Sequence, residues 1–487
     1  MTGKMISRRD FIRLASSAAA AAALASCAPA ATPAPTTAPT AAPVPTKAPA
    51  AGEATKAPAA TTAPTVAPTA AAATKAPAKT PVKLRWWGGV PEASGPKQTV
   101  EAWNKINPDI QVEYVQYPNN TEGNVKLDTA LQADGEVDVL VSYGLNPLKQ
   151  RADGGAIEPL DAFLGAFDPE KEFGKLDNRW DNKYWALILN SQPRFVYLNK
   201  KALDDAGLKV PTDWTWEEYM DYAKKLSKGS GPTKRYGAFY QFPDSFEPVR
   251  VSKGGDVSYK DDCTSNYEDP LFLAALKNRV QMQDADKSVA PFGDVTAAKL
   301  QPYSEFLTGK TAMLLEGSWI LRYIKAVKDN PRDFMVAFAP MPHMKDGPNP
   351  FRPGVGDDRV SIAKKSKNKD AAWQFIKWWS TEGYINMTPF GRVTLWRGRK
   401  AEDTIQSFLG DFTDYQKYMD VDGYKTVMFG NSDKNYPIGF KANAAAEIGQ
   451  INTEELSKVF LGETKPEDAM KNIKKRADEA LAKACKK

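Results

Sequence analysis

Residues 28–80 constrain the fold more than any other stretch of this chain. They are almost entirely Ala, Pro and Thr with a few Lys, and they repeat Ala-Pro-Thr and Lys-Ala-Pro. Such a segment lacks the large apolar side chains a core needs, and its prolines favour extended backbone. At about 3.1 Å per residue its extended reach is on the order of 150 Å. It reads as a passive stalk with no catalytic side chain, which leaves residues 81–487 to form the packed body. That length exceeds the usual size of a single core, and two lobes are expected.

The stalk follows Ser7-Arg8-Arg9-Asp10-Phe11-Ile12-Arg13, an Ala-rich apolar run and Leu24-Ala25-Ser26-Cys27. A charged n-region precedes an h-region too short to span a bilayer. The twin arginine sits in a pattern close to the signal of the folded-protein export route. Leu-Ala-Ser-Cys resembles a bacterial lipobox, which implies cleavage before Cys27 and a diacylglycerol on its thiol. The expected organisation is a signal peptide over 1–26 and a lipidated Cys27 with a disordered tether over 27–80. The body is then expected outside the cytoplasm, held to the cell membrane by its lipid.

Composition narrows the chemistry. A net charge of +6 over 487 residues is modest. The short runs Lys364-Lys365-Ser366-Lys367 and Lys474-Lys475-Arg476 read as solvated faces, and no nucleic-acid partner is expected. With Cys27 lipidated, Cys263 and Cys485 remain; an oxidising compartment permits their pairing, and the sequence leaves it open. There is no Cys-x-x-Cys, and His343 is the only histidine. Neither a metal nor a cofactor is expected, and histidine-based triads lack material. Gly-x-Ser-x-Gly and phosphate-loop motifs are absent. Asp and Glu are abundant, so counting alone leaves a glycosidase carboxylate pair open. A glycan-hydrolysing enzyme therefore stands as the competing reading from another class.

Val82-Lys83-Leu84-Arg85-Trp86-Trp87 reads as a first strand ended by Gly88-Gly89, Thr99 to Asn107 as a helix stopped by Pro108, and Ile110 to Val115 as a second strand. Val125 to Ala133 is a helix and Val137 to Val141 a buried strand. This βαβαβ order predicts an α/β fold with a mostly parallel sheet. Ligands of such sheets lie at the carboxyl ends of strands, which points to Trp86, Trp87 and Gly88 and to Ser142, Tyr143 and Gly144. Alternation places Trp86 and Trp87 on opposite faces, with one of the two turned to the site. Further on, Thr215 with Glu218 forms a capping-box pattern. Arg359 to Ala363 reads as a strand, Lys369 to Ser380 as a helix, and the chain from Pro466 as a charged amphipathic helix.

In their order, these pieces resemble the family-1 extracellular solute-binding proteins of ABC importers, the group that includes maltose-binding protein. The resemblance rests on Leu84-Arg85-Trp86-Trp87, Asn107-Pro108-Asp109-Ile110-Gln111-Val112-Glu113, Gly135-Glu136-Val137-Asp138-Val139 and Val196-Tyr197-Leu198-Asn199-Lys200. It continues through Trp214-Thr215-Trp216-Glu217-Glu218, Gly309-Lys310-Thr311-Ala312-Met313 with Trp319, Ala371-Ala372-Trp373 with Phe375-Ile376, and Pro466-Glu467-Asp468-Ala469-Met470. Two departures stand out. Leu198 replaces the usual Tyr before Asn-Lys, and the Pro common before Asp138 is missing.

The resemblance implies a two-lobed periplasmic-binding-protein fold of type II, maltose-binding-protein-like, with a hinge and an interlobe cleft. The lobes would be 81–190 plus 350–390 and 191–349 plus 391–487. It implies a monomeric, non-enzymatic receptor that delivers a carbohydrate to ABC permease subunits. Non-sugar solutes (polyol phosphates, peptides, other organic solutes) are the alternative ligands, and ligand sensing is an alternative role. Sugar C–H faces stack on aromatic rings while carboxylates and amides hold hydroxyls. The candidate ligand residues are accordingly Trp87, Gly88, Tyr143, Trp185, Trp319, Asp357, Asp358 and Arg392. Trp319 occupies the position where the resemblance implies a stacking ring.

Overall fold

The computed structural model describes residues 80–487 except 175, 177, 261–262, 348–357, 431–443 and 486–487. The residues read as a signal peptide, Cys27, the stretch read as a tether up to residue 79, and Asp357 lie outside the described residues. Strand β1 (Val82–Gly88), helix α1 (Pro96–Ile106), β2 (Ile110–Gln116), α2 (Thr121–Ala130) and β3 (Val139–Tyr143) follow the alternation read from the sequence, and α3 (Leu145–Asp153) comes next. Short strands β4 (Ile157–Glu158), β5 (Leu187–Ile188) and β6 (Asn190–Ser191) lead into β7 (Arg194–Asn199). Then come α4 (Trp216–Leu226), β8 (Tyr236–Phe239), α5 (Glu247–Lys253), α6 (Pro270–Val280), β9 (Thr311–Gly317) and β10 (Val336–Ala339). The chain ends with β11 (Asp358–Ala363), α7 (Lys369–Ser380), β12 (Val393–Thr394), α8 (Ala445–Phe460) and α9 (Pro466–Cys485).

Two larger sheets organise the two-lobed body. The first runs β2-β1-β3-β11-β4, with β5 also on β11. β1 is parallel to both neighbours, with Val82 opposite Ile110 and Trp86 opposite Val139. β11 enters antiparallel, placing Asp358 opposite Tyr143. The second sheet runs β8-β9-β7-β10. β8 and β9 are parallel and β7 is antiparallel to β9 and β10. Between the sheets the chain crosses at β6, and β12 pairs with β6 antiparallel, Val393 opposite Ser191. These crossings are where a hinge motion of the type common to two-lobed receptors would be absorbed.

Both faces of the first sheet are covered. Leu84, Trp86, Trp103, Phe375 and Trp379 pack on one side, and Trp87, Tyr117, Leu127, Leu140 and Leu148 on the other. Trp86 and Trp87 do point to opposite faces, but each meets a packed helix layer and both are buried. The expectation that one of them faces a ligand is corrected on that ground: the sheet has helices on both sides. The second sheet is likewise buried between two apolar clusters, one centred on Leu198, Trp216, Phe272 and Met313 and the other on Tyr197, Phe306, Leu314 and Phe338. Among the described residues no helix is long and apolar enough to cross a membrane.

Local signals behave as their chemistry requires. Thr215 Oγ1 accepts from the Glu218 N–H at 3.3 Å, and Glu218 Oε2 accepts from the Thr215 N–H at 2.7 Å, which closes the capping box of α4. Cys263 and Cys485, left open by the sequence, form a disulfide that ties the end of α9 to the loop ahead of α6, across 222 residues. A bridge closing so long a loop removes much freedom from the unfolded chain. Cys485→Ser is therefore expected to lower unfolding stability by about 2–4 kcal/mol, read as an earlier denaturant midpoint that reductant reproduces in the unmodified chain.

Glu455 joins α8 to α9. It accepts from Lys458 and Arg476, each at 2.8 Å, and from Asn472 at 3.2 Å. Burial opposes its ionisation, and these three donors outweigh burial and hold its carboxyl below the usual value. A carboxyl lowered by folding contributes its stability above its unfolded value of about 4.3 and loses it as pH falls through the folded value. Stability is thus expected to decline below about pH 4, with Glu455→Gln flattening that part of the pH curve in thermal unfolding.

Candidate functional site

At the carboxyl end of β9, Gly317 hands the chain to a tight turn, Ser318–Ile320. A Cβ at Gly317 would come within 3.0 Å of Trp319 Cδ1, so glycine lets the indole fold back along the strand end. Trp319 is half-buried. Its Nε1–H donates to Glu316 Oε2 at 3.1 Å, which fixes the ring plane. Tyr323 meets it edge-on at 6.0 Å, and Tyr303 stacks on Tyr323 at 3.8 Å. Arg322 lies over both Trp319 and Tyr323, at 5.7 and 4.8 Å. The result is a part-exposed aromatic row with a fixed cation.

Glu316 also faces a cavity of about 120 Å³ formed at the carboxyl ends of β8 and β9, lined among others by Arg194, Trp216, Tyr240, Phe242 and Glu247. Phe242 is 62% exposed, an unusual state for so large an apolar side chain, and stands where the cavity meets solvent. Arg194 approaches Glu247 and Glu316 at 3.8 and 4.0 Å. Arg250 holds Glu247 at 3.0 Å and also pairs with Asp244. The surroundings of Asp244 oppose its charge, while Arg250 and the Phe246 N–H outweigh them and keep its carboxyl below the ordinary range. Charged groups, hydrogen-bonding groups and exposed aromatic faces therefore converge at one end of the second sheet, as a ligand-orienting site needs.

A second constellation sits beside the crossings. Asp358 is 1% exposed, and its Oδ2 pairs with Arg392 Nη1. Tyr384 donates to the same oxygen at 3.4 Å. The Asp358 backbone N–H donates to Asn190 Oδ1 at 2.9 Å, and its carbonyl accepts from the Leu189 N–H at 3.0 Å. Tyr143 is opposite Asp358 in the sheet, and its hydroxyl accepts from the Gly89 N–H at 2.7 Å. Burial, then the Asp358 charge, raises the Tyr143 hydroxyl far above its ordinary value and keeps it neutral. Burial disfavours the Arg392 charge, but Asp358 outweighs it and strengthens the cation. Gly391 precedes Arg392 with φ +79°, and a Cβ there would come within 2.8 Å of Leu321 Cβ and 3.4 Å of the Ser318 carbonyl. The backbone beside the ion pair thus lies directly on the turn that carries Trp319.

The candidates read from the sequence divide accordingly. Asp358, Arg392, Tyr143 and Gly88 are gathered at the crossings, with Gly88 pressed against Tyr114, whose hydroxyl would lie 2.7 Å from an added Cβ. In sequence, Gly354-Val355-Gly356-Asp357-Asp358 reads as a glycine-rich loop offering carboxylates to ligand hydroxyls. Asp358 is instead the first residue of β11, buried and paired with Arg392, which compensates its charge. Trp319 stands apart, at the second sheet. Trp87 donates from Nε1 to the Glu136 carbonyl at 2.9 Å inside the core. Trp185 is stacked on Trp180 at 5.6 Å and packs against the cluster of Trp87. Burial in that core corrects the expectation for Trp87, while Trp185 stays half-buried. Sequence reasoning missed Phe242, Glu316, Arg194, Glu247, Tyr303 and Tyr323. The only signal for Phe242 is a Gln241-Phe242-Pro243-Asp244 loop after a short strand that sequence reasoning did not pick out.

Residues 87–385 match the bacterial extracellular solute-binding proteins, and the chain belongs to that family. Its fold is that of two-lobed, maltose-binding-protein-like receptors. A maltotriose-binding protein of Pyrococcus abyssi is 25% identical over 287 residues, and the match spans 58% of this chain and 58% of that relative's length. A multiple sugar-binding protein of Streptococcus mutans is 22% identical over 367 residues, covering 70% of this chain and 74% of the other. An ABC substrate-binding protein of Listeria monocytogenes, solved in complex with cycloalternan, superposes with a TM-score of 0.70 at 19% identity over 83% of this chain and 100% of that one.

The buried pair makes a definite energetic demand. Arg392→Gln strands the Asp358 charge in the interior and is expected to cost about 3–5 kcal/mol. Adding Asp358→Asn to that variant removes the stranded charge and is expected to restore part of the loss, which a double-mutant cycle in denaturant reads directly.

Proposed function

We propose that this protein is the extracytoplasmic receptor of an ABC importer, binding a carbohydrate between its lobes and delivering it to the membrane permease subunits. The observation that carries the reading is the row of part-exposed rings at Trp319, held by Glu316 beside a polar cavity. Pyranose rings present apolar C–H faces to aromatic rings and hydroxyls to carboxylates and guanidinium groups. The sugar-named relatives support the same class of ligand.

The work done is binding rather than bond-breaking. A solute that contacts both lobes is held better by the closed state and shifts the population toward it by its difference in affinity. The crossings at β6 and β12 absorb that motion, and Gly391, next to Arg392, lies on the Trp319 turn, so the ligand platform and the hinge move as neighbours. A lipid on Cys27 and the tether keep the receptor beside its permease, as a monomer without cofactor.

The test is a thermal-shift screen of the purified full chain against mono-, di- and oligosaccharides, with amino acids, polyol phosphates and peptides as controls. A saturable stabilisation by one sugar class is expected, since a ligand of the folded state raises apparent stability. Trp319→Ala should weaken that binding by roughly tenfold. Stabilisation by a control solute alone refutes the carbohydrate assignment, and turnover of a glycan in the same samples refutes the receptor reading.

A further inference from the structure

Arg279, on α6, is the one guanidinium lining the cavity that has no ion pair among the described residues. It is 2% exposed and lines the cavity wall. Its guanidinium carbon lies 3.6 Å from the Tyr240 ring centre and 4.9 Å from that of Phe460. Its Nε and Nη1 are buried with no hydrogen-bond partner, and so is Trp216 Nε1 on the same wall. The other cationic groups here are matched, Arg250 to Asp244 and Glu247, and Arg194 to Glu247 and Glu316. Glu316 is further engaged by the Gly317 N–H at 2.9 Å and by Trp319. The carboxylates lining the cavity are thus already committed, while buried donors on its wall have no acceptor among the described residues.

A buried cation without an ion pair is costly, and burial accordingly works against the Arg279 charge, with Tyr240, Tyr219 and Asp244, itself paired to Arg250, opposing that effect. Hydroxyl or water oxygens satisfy N–H groups without cancelling the charge. A carboxylate does both, and a planar guanidinium takes it with two parallel bonds. The cavity, about 120 Å³, is far larger than the roughly 10–15 Å³ a single water requires. Phe242 at the rim offers an apolar face for the ring that would carry such a group.

We propose that the cavity beneath Phe242 receives the carboxylate of a uronic acid on Arg279 and Trp216 Nε1, so that the sugar bound by this protein is acidic. This rests on the carbohydrate reading above and narrows it to a substrate class.

The experiment is calorimetric titration of the purified full chain with oligogalacturonate, oligomannuronate and a glucuronate-bearing xylo-oligosaccharide. Each is paired with its carboxyl methyl ester, and maltotriose serves as a neutral reference. The expected result is that at least one acid binds about tenfold or more tightly than its own ester. Arg279→Gln should bring that ratio close to one. Equal affinity for every acid and its ester, or tight binding of maltotriose alone, overturns the inference and leaves the carbohydrate reading standing. Binding of none of these sugars, nor of any in the wider screen, overturns both. The acid-to-ester comparison uses the unmodified protein, so it decides the matter even if Arg279→Gln does not fold. A folded Arg279→Gln that keeps the preference also overturns the inference.

Discussion

The Asp358–Arg392 pair is the interaction on which the rest of the body depends. A carboxylate this deeply buried persists only with a partner that compensates its charge. Arg392 is that partner, supplied by a segment 34 residues further along the chain. Asp358 simultaneously begins β11, opposes Tyr143, and receives backbone and side-chain contacts from Leu189, Asn190 and Tyr384. One charged side chain therefore fixes the register of the antiparallel strand in the first sheet and holds two crossing segments against it. Shifting β11 by one residue would turn Asp358 to the other face, away from Arg392, and leave two charges without compensation.

The opening of the fold is legible in the sequence because its periods are distinct. Alternation over Val82–Trp87 and Ile110–Val115 flanks a segment of helical spacing, and short loops force neighbours to pack. The capping box at Thr215 and the helices at Lys369 and Pro466 are local patterns, so the structure reproduces them closely. The antiparallel entry of β11 is not legible, since an apolar strand carries no mark of its direction and its neighbour β3 is distant in the chain. The same limit explains Trp87. Period 2 says that adjacent tryptophans face opposite ways, but only the tertiary assembly says that helices cover both faces.

Within the candidate site, the legible part is Trp319, because the glycine-linked strand end and turn around it form one continuous segment. Asp358 looked like a loop carboxylate since its neighbours on the N-terminal side are glycine-rich, and what changes its role is a distant arginine. Arg279 is illegible for the same physical reason. Arg279 and Lys277 are simply the two basic residues in the last turn of α6, and it is the packing of Tyr240 and Phe460 around Arg279 that removes it from water. Charge buried by tertiary contact leaves no local trace, whereas rings placed by a turn do.

The arrangement assigns different tasks to the two charged centres. Asp358 and Arg392 compensate one another's charge, so that energy is spent inside the protein. The donors of Arg279 and Trp216 are unspent, and Trp319 and Phe242 keep part of their ring surface exposed. Interactions that the free protein cannot make for itself are the ones that distinguish a filled state from an empty one, because only they change when solute arrives. The proposed binding reading thus places recognition at the end of the second sheet and rigidity at the crossings. The contact of Gly391 with the turn carrying Trp319 is where the two meet. On that reading, a solute pressing on the turn would act on backbone one residue from the buried pair.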